Sequence, residues 1–446
     1  MELAVLKKPR EELLGTTFEC ECGKTHTVPL RDVIYSEDGI NRIPELLRRY
    51  TSGRTINVVA DKRTYDVAGK AVEGNLNSAG WNVHRYVIPD PPQKDPVCDD
   101  VTRAEIEHGL VKPCDFLIAV GSGVVSDLCK WISTETGVPY MAVATAASMN
   151  GYASRNIAPT IKGVKRVISG TVPLSIIAAP SVIENAPFEL TAAGLGDAVA
   201  KPVSITDWKI NHLLFDEYYC PLCAKLIWDL EPAYRDHPEK IKRKDPSTIK
   251  ALFLALVYSG ISMTIAGTSF PAYGGEHLIS HVLDMVSSLE NAPHDYHGRQ
   301  VGLGTIFASA LYERLAQLES PQFNVYREQT DSGFWKTLTP VVELEHARKR
   351  ARAERAVSRL REPGVWDEIG SIISAGTIVP DRIKQCLKEA GAASCIDDIG
   401  CTRERFIDAV LHCHQIRERY TVIDLARAVG IIPAEVNNIV DEYLLE

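Results

Sequence analysis

The sequence predicts an α/β domain built on a parallel sheet, followed by an all-α domain, with the texture changing near residue 185. Three observations carry this. Short β-branched runs ending in turn signals alternate with helical patterns in the first part, which is the reading of a sheet wound with helices. Long segments of helical period dominate the second part, with few strand candidates. At 446 residues the chain is long enough for two cores, since single cores seldom grow past about 250–300 residues. The expected domains are 1–185 and 186–446.

The strands are read at TINVVAD from Thr55, WNVHRYVIPD from Trp81, CDFLIAVGSG from Cys114 and VPYMAVATAAS from Val138. The last strand and the crossing to the second half fall in Pro173–Pro187. Helices follow at 188–214, 248–265, 274–289, 300–319, 342–360, 403–416 and 423–443.

A formal charge of -9 and a pI near 5.8, with no basic stripe, argue against a nucleic-acid groove. The basic run HARKRARAERAVSRLR, 346–361, reads as the solvated face of a helix. Charges begin at Glu2 with no apolar leader core, and no stretch approaches the length needed to span a bilayer. A soluble, cytoplasmic protein is expected. Eleven cysteines, odd in number and scattered, do not make a disulfide scaffold and would be thiols in a reducing compartment. Cys20, Cys22 and His26, with Cys220 and Cys223, leave a shared structural zinc open. The spacing of the first cluster is unusual, and nothing in the sequence shows the two clusters meeting.

The chemistry begins at FLIAVGSGVVSDLCK, where a buried strand runs through Gly121, Ser122 and Gly123 into a helix. Glycines there admit a phosphate to the N–H donors and positive dipole end of the helix, as in Rossmann-like dinucleotide sites. Ser126 stands where a third glycine would be, so a tight turn without ligand is the competing reading. Asp61 closes the first strand, where a carboxylate can take ribose hydroxyls or simply cap a helix. Thr145, Ala146, Ala147 and Ser148 follow a strand at the edge where such sheets bind ligands.

In the second half His277 and His281 lie one helical turn apart, so both imidazoles face one volume. A pair can hold a metal, pass a proton or merely pack. Asp197, within GLGDAVAK, and His297, just before Gly298, would complete an O,N,N set with His277 and leave open positions, the pattern of a catalytic metal. His294 competes for the third place. Lys130 and Lys201 are candidate cations near phosphates, or else exposed lysines.

GSGVVSDLCK, TAASMNGYAS, GLGDAVAK, GGEHLISH and HGRQVGLG, in this order, resemble the sn-glycerol-1-phosphate dehydrogenases, within the dehydroquinate synthase-like and iron-containing alcohol dehydrogenase superfamily. The likeness covers about residues 30–315, and the N-terminal CECGKTH and the C-terminal segment from Ile399 resemble its bacterial branch, encoded beside arabinose genes in some species. The resemblance implies a dinucleotide domain, a helical domain, and a divalent metal (zinc, nickel or iron) with NAD(H) or NADP(H) in the cleft between them. By position it gives Asp197, His277 and His297 to the metal. His281, Asp197 and Asn150 go to the substrate, with His281 or an ordered water as proton source. It gives Asp61, Gly121, Ser122, Gly123, Val124, Val125, Thr145 to Ser148 and Ser154 to the cofactor. The implied reaction reduces dihydroxyacetone phosphate to sn-glycerol 1-phosphate, in a homodimer.

Four positions depart from the family pattern. Asn150 stands for its usual Asp, Phe270 for an Arg, Tyr273 for a Ser and Arg299 for a Glu. Arg299 is read as a replacement for the positive charge lost at Phe270. Another small carbonyl or phosphonate substrate therefore stays an alternative. A cyclase of the dehydroquinate synthase kind and a non-catalytic binding protein are less favoured, the first for want of its Glu and lysines, the second because no metal ligand is missing.

Overall fold

The computed structural model of the chain describes residues 10–91, 96–161, 164–228, 230–290 and 292–446. The N-terminal stretch read above for a leader begins outside the described residues. Contacts divide the chain into two compact units. The first runs through Gly194 and adds Lys225–Tyr234 and Arg243–Thr268; the second comprises Leu195–Ala224, Arg235–Lys242 and Ser269–Glu446.

The first unit is built from apolar runs that need cover on both faces. Apart from four two-residue strands between residues 156 and 169, the strands are β1 (Thr17–Glu19), β2 (Thr25–Thr27), β3 (Asp32–Tyr35), β4 (Thr55–Asp61), β5 (Asn82–Ile88), β6 (Phe116–Gly121), β7 (Tyr140–Ala144) and β8 (Ser175–Ala178). Every residue of β6, β7 and β8 is buried, as in a sheet sandwiched by helices. Strands β3 to β8 form one all-parallel sheet in the order β3-β8-β7-β6-β4-β5. Alternation sends Ile56, Val58, Ile118, Val120 and Met141 into one core layer. Val59, Leu117, Ala119 and Tyr140 go to the other, against Leu128 and Ile132 of helix α1 (Gly123–Thr136). The chain leaves β5 at one edge and re-enters at β6 on the far side of β4, so the winding reverses between β4 and β6. That reversal opens a crevice at the carboxyl ends of the strands.

The short edge strand β3 and the β1–β2 hairpin escape the sequence reading. Only Ile34 of β3 and His26 of the hairpin are buried, so neither shows an apolar run.

The helices named below are α2 (Phe188–Val199), α3 (Lys201–Phe215), α4 (Pro221–Trp228), α5 (Pro246–Ala266), α6 (Gly275–Glu290) and α7 (His297–Ala316). The helix expected over 188–214 is in fact α2 and α3, restarting after Ala200 with Pro202 in its first turn, where a missing N–H costs nothing. Helix α5 has 21 residues and, contrary to expectation, is long and apolar enough to cross a membrane. Of its apolar window 83% is buried inside the protein, which makes it a core helix. It belongs to the first unit rather than following the expected boundary at 185, because it packs on the loop after β7. There Thr264 Oγ1 donates to Ala153 O at 2.8 Å.

In the second unit the basic run of the helix Thr339–Leu360 is more than a solvated face. Lys349 is buried with Nζ 2.7 Å from Asp424 Oδ2, and Arg352 is buried with Nη2 2.8 Å from Asn211 Oδ1. A burial stripe this polar is invisible to hydrophobic periodicity.

Candidate metal centre and nucleotide turn

Helix packing in the second unit sets the histidines. Helices α6 and α7 pack side by side, and Gly196 comes so close to α7 that an added Cβ would sit 2.0 Å from Gly298 O. That approach brings Asp197 toward the start of α7, and it needs glycine at 196.

Asp197 is buried, with Oδ1 2.8 Å from Lys201 Nζ and 3.6 Å from His277 Nε2. Burial works to raise its carboxyl, but the Lys201 ammonium and His277 outweigh that and hold it well below the usual carboxylate range. His277 is buried too, and Nε2 has no hydrogen-bond partner among the described residues, an orphan nitrogen aimed at a carboxylate. Its Nδ1 lies 2.7 Å from Glu276 Oε1. The carboxylate fixes the proton on Nδ1 and leaves the Nε2 lone pair for a ligand.

His297 is set the same way. Ser280 Oγ donates its one proton to Gln300 Oε1 at 2.8 Å, so toward His297 Nδ1, also 2.8 Å away, it accepts. The Nδ1 proton is thereby fixed and Nε2 becomes the acceptor. The His297 ring centroid lies 5.3 Å from that of His277 and 5.4 Å from that of His281, the latter pair nearly parallel. His281 is half-buried one turn after His277. The competitor His294 is exposed, 3.4 Å from Asp284.

Asp197, His277 and His297 thus gather, but more loosely than a closed site. Of the cysteine clusters, Cys22 Sγ lies 3.1 Å from His26 Nε2 in the first unit, while Cys220 and Cys223 are buried in the second.

Glu276, Ser280 and Gln300 were missed by sequence reasoning, since polar residues on a helix face carry no sign of what they orient. Glu276→Gln is expected to lower metal affinity or turnover roughly 10–100-fold, measured by chelator competition and steady-state rates. An unchanged affinity and rate would remove Glu276 from the centre.

Behind the centre Asp207 accepts from Tyr312 OH at 2.5 Å, Gly275 N at 2.8 Å and Val422 N at 2.7 Å. Burial and then the Glu276 charge push its carboxyl up to about 7. The charge read at Arg299 lies elsewhere: Arg299 is engaged by Asp295 and by the carbonyl of Asp398. The cation beside the departed segment is Arg419, 3.9 Å over the Phe270 ring, with donors to Tyr273 O and Ser269 Oγ. Tyr273 stacks on His277 at 4.1 Å.

In the first unit Asp61 and the Gly121–Gly123 turn flank the winding reversal, on neighbouring strands β4 and β6. Ser122 Oγ and Ser148 Oγ meet at 2.6 Å, joining the loops after β6 and β7. Asp61 caps a helix: Oδ1 accepts from Arg63 N at 2.8 Å and Thr64 N at 3.0 Å. Val125, Ala146 and Ala147 are core side chains, so only their backbone is available to a cofactor. Ser154 Oγ accepts from Asn156 N, and buried Asn150 donates weakly to Ser259 Oγ at 3.5 Å. Neither lysine is exposed. Lys130 spends its three protons on Asp127, Gly151 O and Asn156 O, which leaves none for a phosphate, and Lys201 is committed to Asp197 and Ala272 O.

The chain is similar to known proteins. The family model for iron-containing alcohol dehydrogenases matches residues 34–187. The glycerol-1-phosphate dehydrogenase [NAD(P)+] of Halalkalibacterium halodurans is 32% identical over 308 residues, 68% of this chain and 76% of that protein. The protein of the same name from Bacillus velezensis is 29% identical over 93% of this chain and 95% of its own length. Among solved structures, a glycerol dehydrogenase from Schizosaccharomyces pombe superposes with a TM-score of 0.61 over 94% of each chain, at 12% identity, a likeness of fold.

Proposed function

The chain belongs to the glycerol-1-phosphate dehydrogenase family, and from that premise we propose that Asp197, His277 and His297 hold a divalent metal while the Gly121–Gly123 turn receives NAD(H) or NADP(H). The enzyme is an NAD(P)-linked oxidoreductase that interconverts dihydroxyacetone phosphate and sn-glycerol 1-phosphate. The observation that carries the site is the orphan Nε2 of buried His277 facing Asp197, its proton fixed on Nδ1 by Glu276. The donor set, one carboxylate and two imidazoles, suits zinc, nickel or iron(II).

Held by Asp197, His277 and His297, a divalent cation would supply Lewis acidity toward the substrate carbonyl, and a nicotinamide held at the Gly121–Gly123 turn would supply hydride chemistry. The chain's own part is position and proton. Asp197 stays ionised when buried because Lys201 faces it. Glu276 and Ser280 hold two imidazoles in the tautomer that presents Nε2. His281, one turn from His277, supplies the proton that the reduced oxygen takes. Phe270, stacked on Trp208 and packed against Arg419, leaves the positive charge of that segment to Arg419.

The test is kcat/KM for dihydroxyacetone phosphate against dihydroxyacetone, glyceraldehyde 3-phosphate and phosphonate-bearing carbonyls, with the stereochemistry of the product. A site that hydrogen-bonds a phosphate rejects a ligand without one by as much as about 10⁴-fold. Preference for dihydroxyacetone phosphate with an sn-1 product is expected. Efficient turnover of another carbonyl with dihydroxyacetone phosphate ignored would sink the substrate and leave the metal-dependent dehydrogenase.

A further inference from the structure

In the second unit the short turn Cys413–Ile416 runs out into a segment that carries two arginines, Arg417 and Arg419, both half-buried. Burial pulls both guanidiniums below the usual arginine range, Arg419 to about 10, and the charge of Arg417 pushes Arg419 the same way. Both remain charged at neutral pH. Among the described residues no carboxylate forms an ion pair with either one. The carboxylates whose charge reaches them are engaged elsewhere. Glu217 pairs with Arg352 at 2.6 Å, and Glu345 accepts from Arg348 at 3.1 Å. Asp207 accepts from Tyr312, Gly275 and Val422, while Glu276 accepts from Gly274 N at 2.8 Å and faces His277. Two half-buried like charges are costly to keep together unless an anion joins them.

The Arg419 guanidinium is set on a fixed backbone. Buried Lys349 donates to the Arg419 carbonyl, and Asn211 Nδ2 donates to Tyr420 O at 2.7 Å. Cζ of Arg419 lies 3.9 Å from the Phe270 ring centre, with donors to the carbonyl of Tyr273 and, at 2.8 Å, to Ser269 Oγ. A clamp on residues 269–273 accounts for those two bonds. It does not account for a second cation alongside, nor for the remaining N–H donors of a group that has five. The Tyr273 that Arg419 holds stacks on His277 at 4.1 Å, so the arginine pair lies beside the proposed metal ligand.

We propose that Arg417 and Arg419 form the subsite for the phosphate of the substrate, with Arg419 setting the preference for a phosphorylated carbonyl, a reading that rests on the metal centre and reaction proposed above. A guanidinium presents paired N–H donors that match two oxygens of one phosphate. Two guanidiniums balance a phosphate monoester charge of about −1.5 to −2 at neutral pH. The backbone bonds at Arg419 and Tyr420 fix the donors before the ligand arrives, so little ordering is left for binding to do.

The test compares kcat/KM for dihydroxyacetone phosphate with that for dihydroxyacetone in the full-length protein. The ratio of the two is expected to fall roughly 100-fold in Arg419→Gln and by a smaller factor in Arg417→Gln. Arg419→Lys, which keeps the charge without the paired donors, should fall between Arg419→Gln and the native chain. A purely structural role for Arg419 lowers both substrates together and leaves the ratio intact, which overturns the proposal. Should Arg419→Gln fail to fold, Arg417→Gln decides, because Arg417 makes no hydrogen bond among the described residues that the fold would miss. A second arm needs no turnover: inorganic phosphate should raise the unfolding temperature of the native chain, and raise it less in Arg417→Gln and Arg419→Gln. If the native chain ignores dihydroxyacetone phosphate, the reaction proposed above fails and this arm judges the subsite by itself. A native shift lost in both variants then upholds a subsite for a different phosphorylated substrate. An absent native shift, or equal shifts in native chain and variants, overturns it.

Discussion

Replacing His277 or His297 by alanine is expected to remove one metal equivalent and turnover together, by well over the roughly 10–100-fold that loss of an orienting partner costs. The effect is large because each imidazole is held for one purpose. His277 Nδ1 is committed to Glu276 and His297 Nδ1 to Ser280, so Nε2 is what each variant loses. The fold should survive in His277→Ala, because Lys201 still faces Asp197 at 2.8 Å and the buried carboxylate keeps a counter-charge. His294→Ala is the control. Its side chain is 53% exposed and pairs with Asp284, so metal content and rate should not move. Metal analysis and NAD(P)H kinetics on the three variants decide. Metal retained in His297→Ala and lost in His294→Ala would transfer the third ligand to His294.

How much of this was legible depends on what each residue signals. The sheet was, because Phe116–Gly121 and Tyr140–Ala144 are apolar throughout and end in turn glycine or small residues. The crevice followed, since Asp61 and Gly121 end strands that prove to be neighbours. The metal candidates were legible as residue types at helical spacing and through resemblance to a family. Their orientation was not: Glu276, Ser280 and Gln300 act through hydrogen bonds that no periodicity marks. Buried lysines were misread for two reasons: the partner of Lys349, Asp424, lies far along the chain, and Lys130 beside Asp127 is also taken up by the backbone carbonyls of Gly151 and Asn156, which no side-chain pattern marks. Arg419, more than a hundred residues beyond Phe270, took up a charge that local comparison had assigned to Arg299.

Gly123→Val is expected to abolish nucleotide binding in a protein that still folds. Gly123 opens α1 with backbone that any residue can adopt, and an added Cβ would meet only Met149 Cγ at 3.7 Å, an ordinary contact. The backbone and the Cβ position at residue 123 therefore tolerate a side chain. Gly121 is the opposite case, since a Cβ there would stand 2.7 Å from Val125 Cβ, so Gly121→Val should lower stability itself. What the valine at 123 fills is the space before the helix N-terminus, where N–H donors and the dipole favour a diphosphate. Ligand at a hundred times its dissociation constant stabilises a native protein by about 2.7 kcal/mol, and a variant that cannot bind shows none of it. Thermal unfolding with and without NAD(H) and NADP(H) reads this directly. The native chain should shift upward with its preferred nucleotide, and Gly123→Val should unfold at its unliganded temperature in both. A full shift retained in Gly123→Val would make the turn a packing device and move the cofactor away from β6.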